Sequence, residues 1–257
     1  GYIRELRSQG LEPFLNLWHW TMPTWFVAKG EFKKGKNLKH WRRFVQKVAD
    51  EYSEDLKYII TLNEPNNYAV FGYLIAEWPP TQRSPLNFMR VYYNLVRAHR
   101  QAYKIIHKVS PTIQVGLAPA MANIQSKRTS NIVDMVATGV MRYGWNWWFV
   151  NRVKRQLDFV GFNYYFSDYY RAGVVDNPDA PKNDLGWYME PEGLHPLLTR
   201  VWAHYKKPIY ITENGVADSK DQYRKWWIEE SLVAMERALS EGVDLRGYFH
   251  WSLLDNF

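Results

Sequence analysis

The chain of 257 residues contains no cysteine, which excludes disulfides and thiolate metal centres and makes it indifferent to redox compartment. No apolar run is long enough to span a bilayer, and the opening GYIRELRSQG lacks the apolar centre of a signal peptide. A cytoplasmic location with no membrane partner is therefore expected. No glycine-rich phosphate loop or metal-ligand cluster is present, so phosphoryl transfer and metal-dependent chemistry are not expected, and neither a metal nor a cofactor is assigned.

What remains is the composition of a globular protein, with 46% hydrophobic and 23% charged residues. Aromatics are the outlier at 17%, including 13 Trp and 18 Tyr. Flat apolar faces suit stacking on sugar rings, but large aromatics also fill cores, and most of these are expected to be packing. The net charge of +7 raises a nucleic-acid reading, most of all around Lys33, Lys34, Lys36, Lys39, Arg42 and Arg43. Those cations alternate with Trp41, Phe44, Val45 and Val48 at helical spacing, which favours a solvated helix face. Trp147, Trp148 and Phe149 beside Arg152, Lys154 and Arg155 invite the same reading, but no nucleic-acid-binding module accounts for the strands. No nucleic-acid partner is expected.

Apolar or β-branched runs alternate with amphipathic stretches, the pattern of β/α units around a parallel sheet. Six strands are expected: Pro13 to His19, Lys57 to Asn63, Ile113 to Ala118, Leu157 to Tyr164, Pro208 to Glu213 and Arg246 to Trp251. Helical spacing runs over Leu86 to His107 and Arg224 to Glu241. Met121 to Ser130 and Arg171 to Leu185 read as loops. No linker interrupts the chain, which reads as one domain over residues 1–257.

Polar groups collect where these strands end: His19, Asn63 with Glu64, Asn163 with Tyr164 and Tyr165, Glu213 with Asn214, and Trp251. In a (β/α)8 barrel the strand C-termini and the loops after them build the active site. TLNEP at 61–65 closes an apolar strand on Glu64 before Pro65 turns the chain away, and taken alone this is equally a helix-entry turn. ITENG at 211–215 repeats the arrangement with Glu213, and Asn-Gly is equally common turn chemistry. As a pair, two glutamates ending separate barrel strands can serve double-displacement glycoside hydrolysis. One attacks the anomeric carbon, while the other protonates the leaving oxygen and then deprotonates water, with the carboxyls about 5 Å apart.

TLNEP and ITENG, together with NLWHW, GFNYY and the ending FHWSLLDNF, occur in the order found in glycoside hydrolase family 1, which the sequence resembles over essentially its whole length. The resemblance implies an α/β fold of (β/α)8 TIM-barrel type, incomplete, with about six of eight β/α units in this chain. It implies a retaining β-glycosidase acting on a small carbohydrate or aryl β-glycoside, with Glu64 as acid/base and Glu213 as nucleophile. By the same resemblance, Asn63 binds the sugar 2-hydroxyl, Tyr165 hydrogen-bonds the nucleophile, and His19 and Trp20 line the glycone subsite with Trp251 as its floor. Asn163 is counted with the substrate-binding residues. Trp18, Trp41 and Trp202 find no counterpart and are expected to pack.

Against the family pattern, the sequence lacks two strands and the last helix. With them go a glycone-binding Gln, an Arg that contacts the nucleophile, and a Glu-Trp pair expected after Phe257. Reduced turnover is expected from these losses. Self-association through open sheet edges is expected too. The competing reading is a non-catalytic barrel fragment whose aromatic-lined cavity binds sugar or another planar ligand.

Overall fold

The computed structural model describes residues 1–254. In chain order the elements are α1 (Tyr2–Ser8), β1 (Phe14–Asn16), α2 (Thr24–Ala28), α3 (Leu38–Tyr52), β2 (Tyr58–Asn63), α4 (Pro65–Val70), α5 (Pro85–Val109) and β3 (Gln114–Ala118). There follow β4 (Ala120–Ser126), α6 (Ile132–Arg142), α7 (Trp148–Val153), β5 (Val160–Arg171), β6 (Val174–Val175), α8 (Leu194–Tyr205), β7 (Ile209–Asn214), α9 (Arg224–Ser240) and β8 (Leu245–His250). The last three residues of the FHWSLLDNF motif, 255–257, lie outside the described residues. The chain divides into two compact units, one formed by Gly1–Pro119 with Phe149–Gly161, the other by Ala120–Trp148 with the chain from Phe162 onward.

The first unit holds a parallel sheet in the order β1-β2-β3. Phe14 pairs with Tyr58 in register, and their rings stack 4.2 Å apart. Residues 59 to 64 are all buried, as in a strand covered on both faces. Gly116 is needed for close approach, because a Cβ there would lie 2.2 Å from the Phe159 ring. Helix α5 starts on Pro85 with Ser84 capping the Asn87 N–H, and buries Val91, Leu95, Ala98, Ala102 and Ile106 at helical intervals. In α3 the buried positions are Leu38, Trp41, Val45 and Ala49, with the Trp41 indole N–H donating to the Ala98 carbonyl (2.9 Å). The cations of this segment lie mostly outward, as the sequence suggests. Phe44, expected in the apolar stripe, lies instead on the exposed side.

The second unit contains β4-β5-β7-β8 in that order, with β4 parallel to β5 and β7 parallel to β8. Two expectations are corrected here. Of the stretch Met121 to Ser130, expected as loop, residues 121–126 belong to β4, which begins at Ala120 with only Pro119 between it and β3. Strand β5 runs on to Arg171 and folds back through Ala172 and Gly173, both at positive φ, into antiparallel β6. The outer edge of β4 is closed by side chains: Asn146 exchanges two hydrogen bonds with the Ala122 backbone, and Arg142 donates to the Ile124 carbonyl. The core comprises Phe162, Tyr164, Leu194, Leu197, Leu198, Val201, Ile209, Ile211 and Trp227. Trp18 and Trp41 are buried, and Trp202 is half-buried with the Lys206 ammonium over its ring.

Candidate active site

In the first unit, the sequence-assigned residues His19, Trp20, Asn63 and Glu64 lie together. The Asn63 backbone N–H donates to the Trp18 carbonyl (2.9 Å), tying the end of β2 to the chain leaving β1. Its side-chain amide meets Nε2 of His19 at 3.1 Å. Burial lowers the His19 pKa, so the ring is neutral at neutral pH, and with Nε2 accepting, its proton sits on Nδ1. The His19 and Trp20 rings meet edge to face at 5.2 Å.

Glu64 is the residue at which β2 gives way to α4. Its N–H donates to the Ala118 carbonyl (2.7 Å), its backbone is left-handed at φ 41°, and Pro65 begins the helix. Its side chain is buried, and Oε2 accepts a 2.7 Å hydrogen bond from Asn67. Trp20 also has positive φ, at 69°. Such backbones cost about 1–3 kcal/mol each in non-glycine residues and concentrate at functional sites. Both the helix-entry turn and the carboxylate at a strand mouth are therefore present at Glu64.

In the second unit Asn163 and Tyr165 lie within β5, which continues past its expected end, Glu213 lies near the end of β7, and Trp251 directly follows β8. The Tyr165 hydroxyl donates to Oε2 of Glu213 at 2.7 Å. Asn163 is buried, and its Oδ1 accepts from the Thr212 hydroxyl at 2.6 Å, fixing the residue before Glu213. Trp251 is 40% exposed, and its backbone N–H donates to the Asn214 carbonyl (2.8 Å).

Several residues that position these groups were not assigned from the sequence. Asn67 stands three residues after Glu64, a spacing that signals a helix start. Trp78 and Phe71 continue a row of rings from Trp20, with centroids 4.7 Å and then 4.6 Å apart. Asn214 and Gly215, read as turn chemistry, have other roles. Asn214 is fully buried in β7; its amide donates to the Tyr164 carbonyl, and its Oδ1 accepts from the Trp227 indole and the Tyr248 hydroxyl. Gly215 is required by proximity, since a Cβ there would lie 2.0 Å from the Trp251 carbonyl oxygen.

The family model "Glycosyl hydrolase family 1" matches residues 2–155 and 150–257. The chain is 30% identical to a beta-galactosidase of Saccharolobus solfataricus, over 99% of this chain and 61% of the relative. It is 28% identical to beta-glucosidase A of Thermotoga maritima, over 99% of this chain and 67% of that protein. Among solved structures, a beta-glycosidase from Pyrococcus horikoshii superposes with a TM-score of 0.90 at 32% identity, covering 99% of this chain and 65% of the other. The Thermotoga maritima beta-glucosidase in complex with deoxynojirimycin gives 0.91 at 27% identity, covering 100% and 68%. The chain thus spans about three fifths of the length of its archaeal beta-galactosidase relatives. The fold class is the expected one, α/β of incomplete (β/α)8 TIM-barrel type, with β1, β2 and β3 forming the sheet of one unit and β4, β5, β7 and β8 that of the other. The chain belongs to glycosyl hydrolase family 1.

Proposed function

We propose that this chain is one glycosidase domain that hydrolyses β-glycosides, β-glucosides or related sugars, by double displacement with retention of configuration. Glu213 attacks the anomeric carbon, expelling the aglycone as Glu64 protonates the glycosidic oxygen. Glu64 then takes a proton from water, which releases the sugar from Glu213. The observation that carries the reading is the Tyr165–Glu213 hydrogen bond, because a nucleophilic carboxylate needs a fixed orientation and a donor that favours its ionised form. Family membership supports it independently.

The other assigned residues take roles consistent with their surroundings. Neutral His19 and the amide of Asn63 offer hydrogen bonds to sugar hydroxyls, those at the 2-position strengthening towards the oxocarbenium-like transition state. Trp251 and Trp20 offer ring faces to the glycone, and Trp78 and Phe71 extend the apolar row away from Trp20. Asn163 acts through Thr212 to hold the approach to Glu213. No organic cofactor or metal is required by this chemistry.

Proton NMR of an aryl β-glucoside during hydrolysis tests the reading. The β-anomer of the free sugar should form first and then mutarotate; initial release of the α-anomer would overturn it. A chain that binds the glycoside without turnover would support the competing reading as a sugar-binding fragment.

A further inference from the structure

The cations gathered in and before α3 are not all engaged. Lys29 lies over the Trp25 ring at 5.2 Å, Lys33 donates to Gln82 (3.1 Å), and Lys47 pairs with Glu51 (3.1 Å). Lys39, Arg42 and Arg43 are exposed and make no ion pair or side-chain hydrogen bond among the described residues. They stand at i, i+3 and i+4 on α3, so they share one flank of the helix beside the buried row of Leu38, Trp41, Val45 and Ala49. Like charges at these spacings repel, and the neighbouring helix offers no relief. Helix α5 carries Arg90, Arg97, Arg100, Lys104 and Lys108 and not one acid. The two acids of α3, Asp50 and Glu51, lie towards its far end, where they accept hydrogen bonds from Gln46 (2.8 Å) and Lys47 (3.1 Å). Glu31 is buried and accepts from Tyr68.

These three cations line an open cavity of about 540 Å³ between α3 and α5, completed by His40, Gln46 and, from α5, Ile105. That volume is in the range of small-molecule sites. The Trp41 indole hydrogen bond to Ala98 fixes the two helices against each other. His40 senses the same field, since partial burial and then the charges of Lys29, Lys39 and Arg43 lower its pKa. The lining thus holds donors, one aliphatic side chain and no carboxylate. We propose that this cavity binds the phosphate group of a small phosphate ester, Arg42 and Arg43 meeting the phosphate oxygens and Lys39 completing the charge. A carboxylate would offset only one of the three cations, whereas a phosphate monoester brings about 1.5–2 negative charges and three oxygens that suit guanidinium forks. Lys39 to Arg43 covers about 6 Å of helix axis, the breadth of one phosphate group. With Lys29 and Lys33 already engaged, a polymer of many phosphates finds no continuous track into the helix.

Isothermal titration calorimetry of the chain with glycerol phosphate in low-salt buffer tests the proposal. Binding should saturate at one site per chain, weaken with added salt and be absent with glycerol. The double substitution Arg42→Gln/Arg43→Gln should weaken it about tenfold, and Lys39→Gln several-fold. Lys225→Gln, which removes an exposed cation from α9 in the second unit, should leave the affinity unchanged. All of these variants should keep the parent's melting temperature, because the side chains altered are already exposed; Lys39→Gln keeps the test decisive if the double variant misfolds. The proposal is overturned by absence of saturable binding, by undiminished binding in the well-folded α3 variants, or by an equal loss in Lys225→Gln. It is equally overturned if a single-stranded oligonucleotide binds through Arg42 and Arg43 and glycerol phosphate does not displace it.

Discussion

The hydroxyl of Tyr165, on β5, donates a 2.7 Å hydrogen bond to Oε2 of Glu213, on β7. Tyr165→Phe keeps the ring and removes only the donor. If Glu213 is the nucleophile, kcat/KM for an aryl β-glucoside should fall roughly 10- to 100-fold, about 1.4–2.7 kcal/mol of transition-state stabilisation. Unchanged kinetics would reduce the contact to a structural one.

Glu64→Ala separates acid catalysis from general damage. Hydrolysis of glycosides with poor leaving groups should collapse by several orders of magnitude, whereas activated phenolates, which need little protonation, should still leave in the first step. Added azide should restore turnover of the activated substrates and yield the β-glycosyl azide. Equal losses across leaving groups without an azide product would remove Glu64 from the acid/base role.

His99 provides a pH-dependent stability test in the first unit. It is fully buried between the Thr61 hydroxyl and the Gln156 carbonyl, at 2.6 Å from each, and burial pushes its pKa down to about 4. Above pH about 6.5 the ring is neutral in both folded and unfolded chains. As pH falls below that value only the unfolded chain gains the proton, so stability declines until the folded ring also titrates near pH 4, a loss of up to about 3 kcal/mol. Urea unfolding at pH 7, 6 and 5 should show a shallower acid decline in His99→Gln than in the parent. Parallel pH profiles would contradict this account of His99.

Gly215→Ala would place a Cβ against the Trp251 carbonyl. The backbone must shift, so stability should fall by about 1–3 kcal/mol, the usual cost of overpacking. Glycoside KM should rise as Trp251 is displaced. A variant with the parent's unfolding midpoint and KM would show that the close approach is not needed.

Strands β2 and β7 were legible within about a residue because each is an unbroken apolar run ending in a polar pair at a turn signal. The same feature exposed Glu64 and Glu213 as candidates. β1 proved shorter than its apolar run because the chain leaves the sheet before His19 and turns left-handed at Trp20, a conformation that a bulky residue does not advertise. β4 was hidden by Pro119 before it and by Asn123, Gln125 and Ser126 within it. Asn123 and Gln125 find their partners in Arg200, with Glu190 also accepting from Asn123, residues 67 to 77 positions away. Asn214 was misread for the same reason. A buried amide that satisfies Tyr164, Trp227 and Tyr248 cannot be told from a turn asparagine until those strands and α9 are assembled.

The central claim is that Glu213 becomes covalently bonded to the sugar. Incubation with a 2-deoxy-2-fluoro-β-glucosyl fluoride slows release from the enzyme more than attack, and peptide mass spectrometry then locates any adduct. The account predicts one fluoroglucosyl group per chain, on Glu213, released slowly by an added acceptor alcohol and absent in Glu213→Gln. No adduct in the folded chain, or an adduct on another residue, would contradict it.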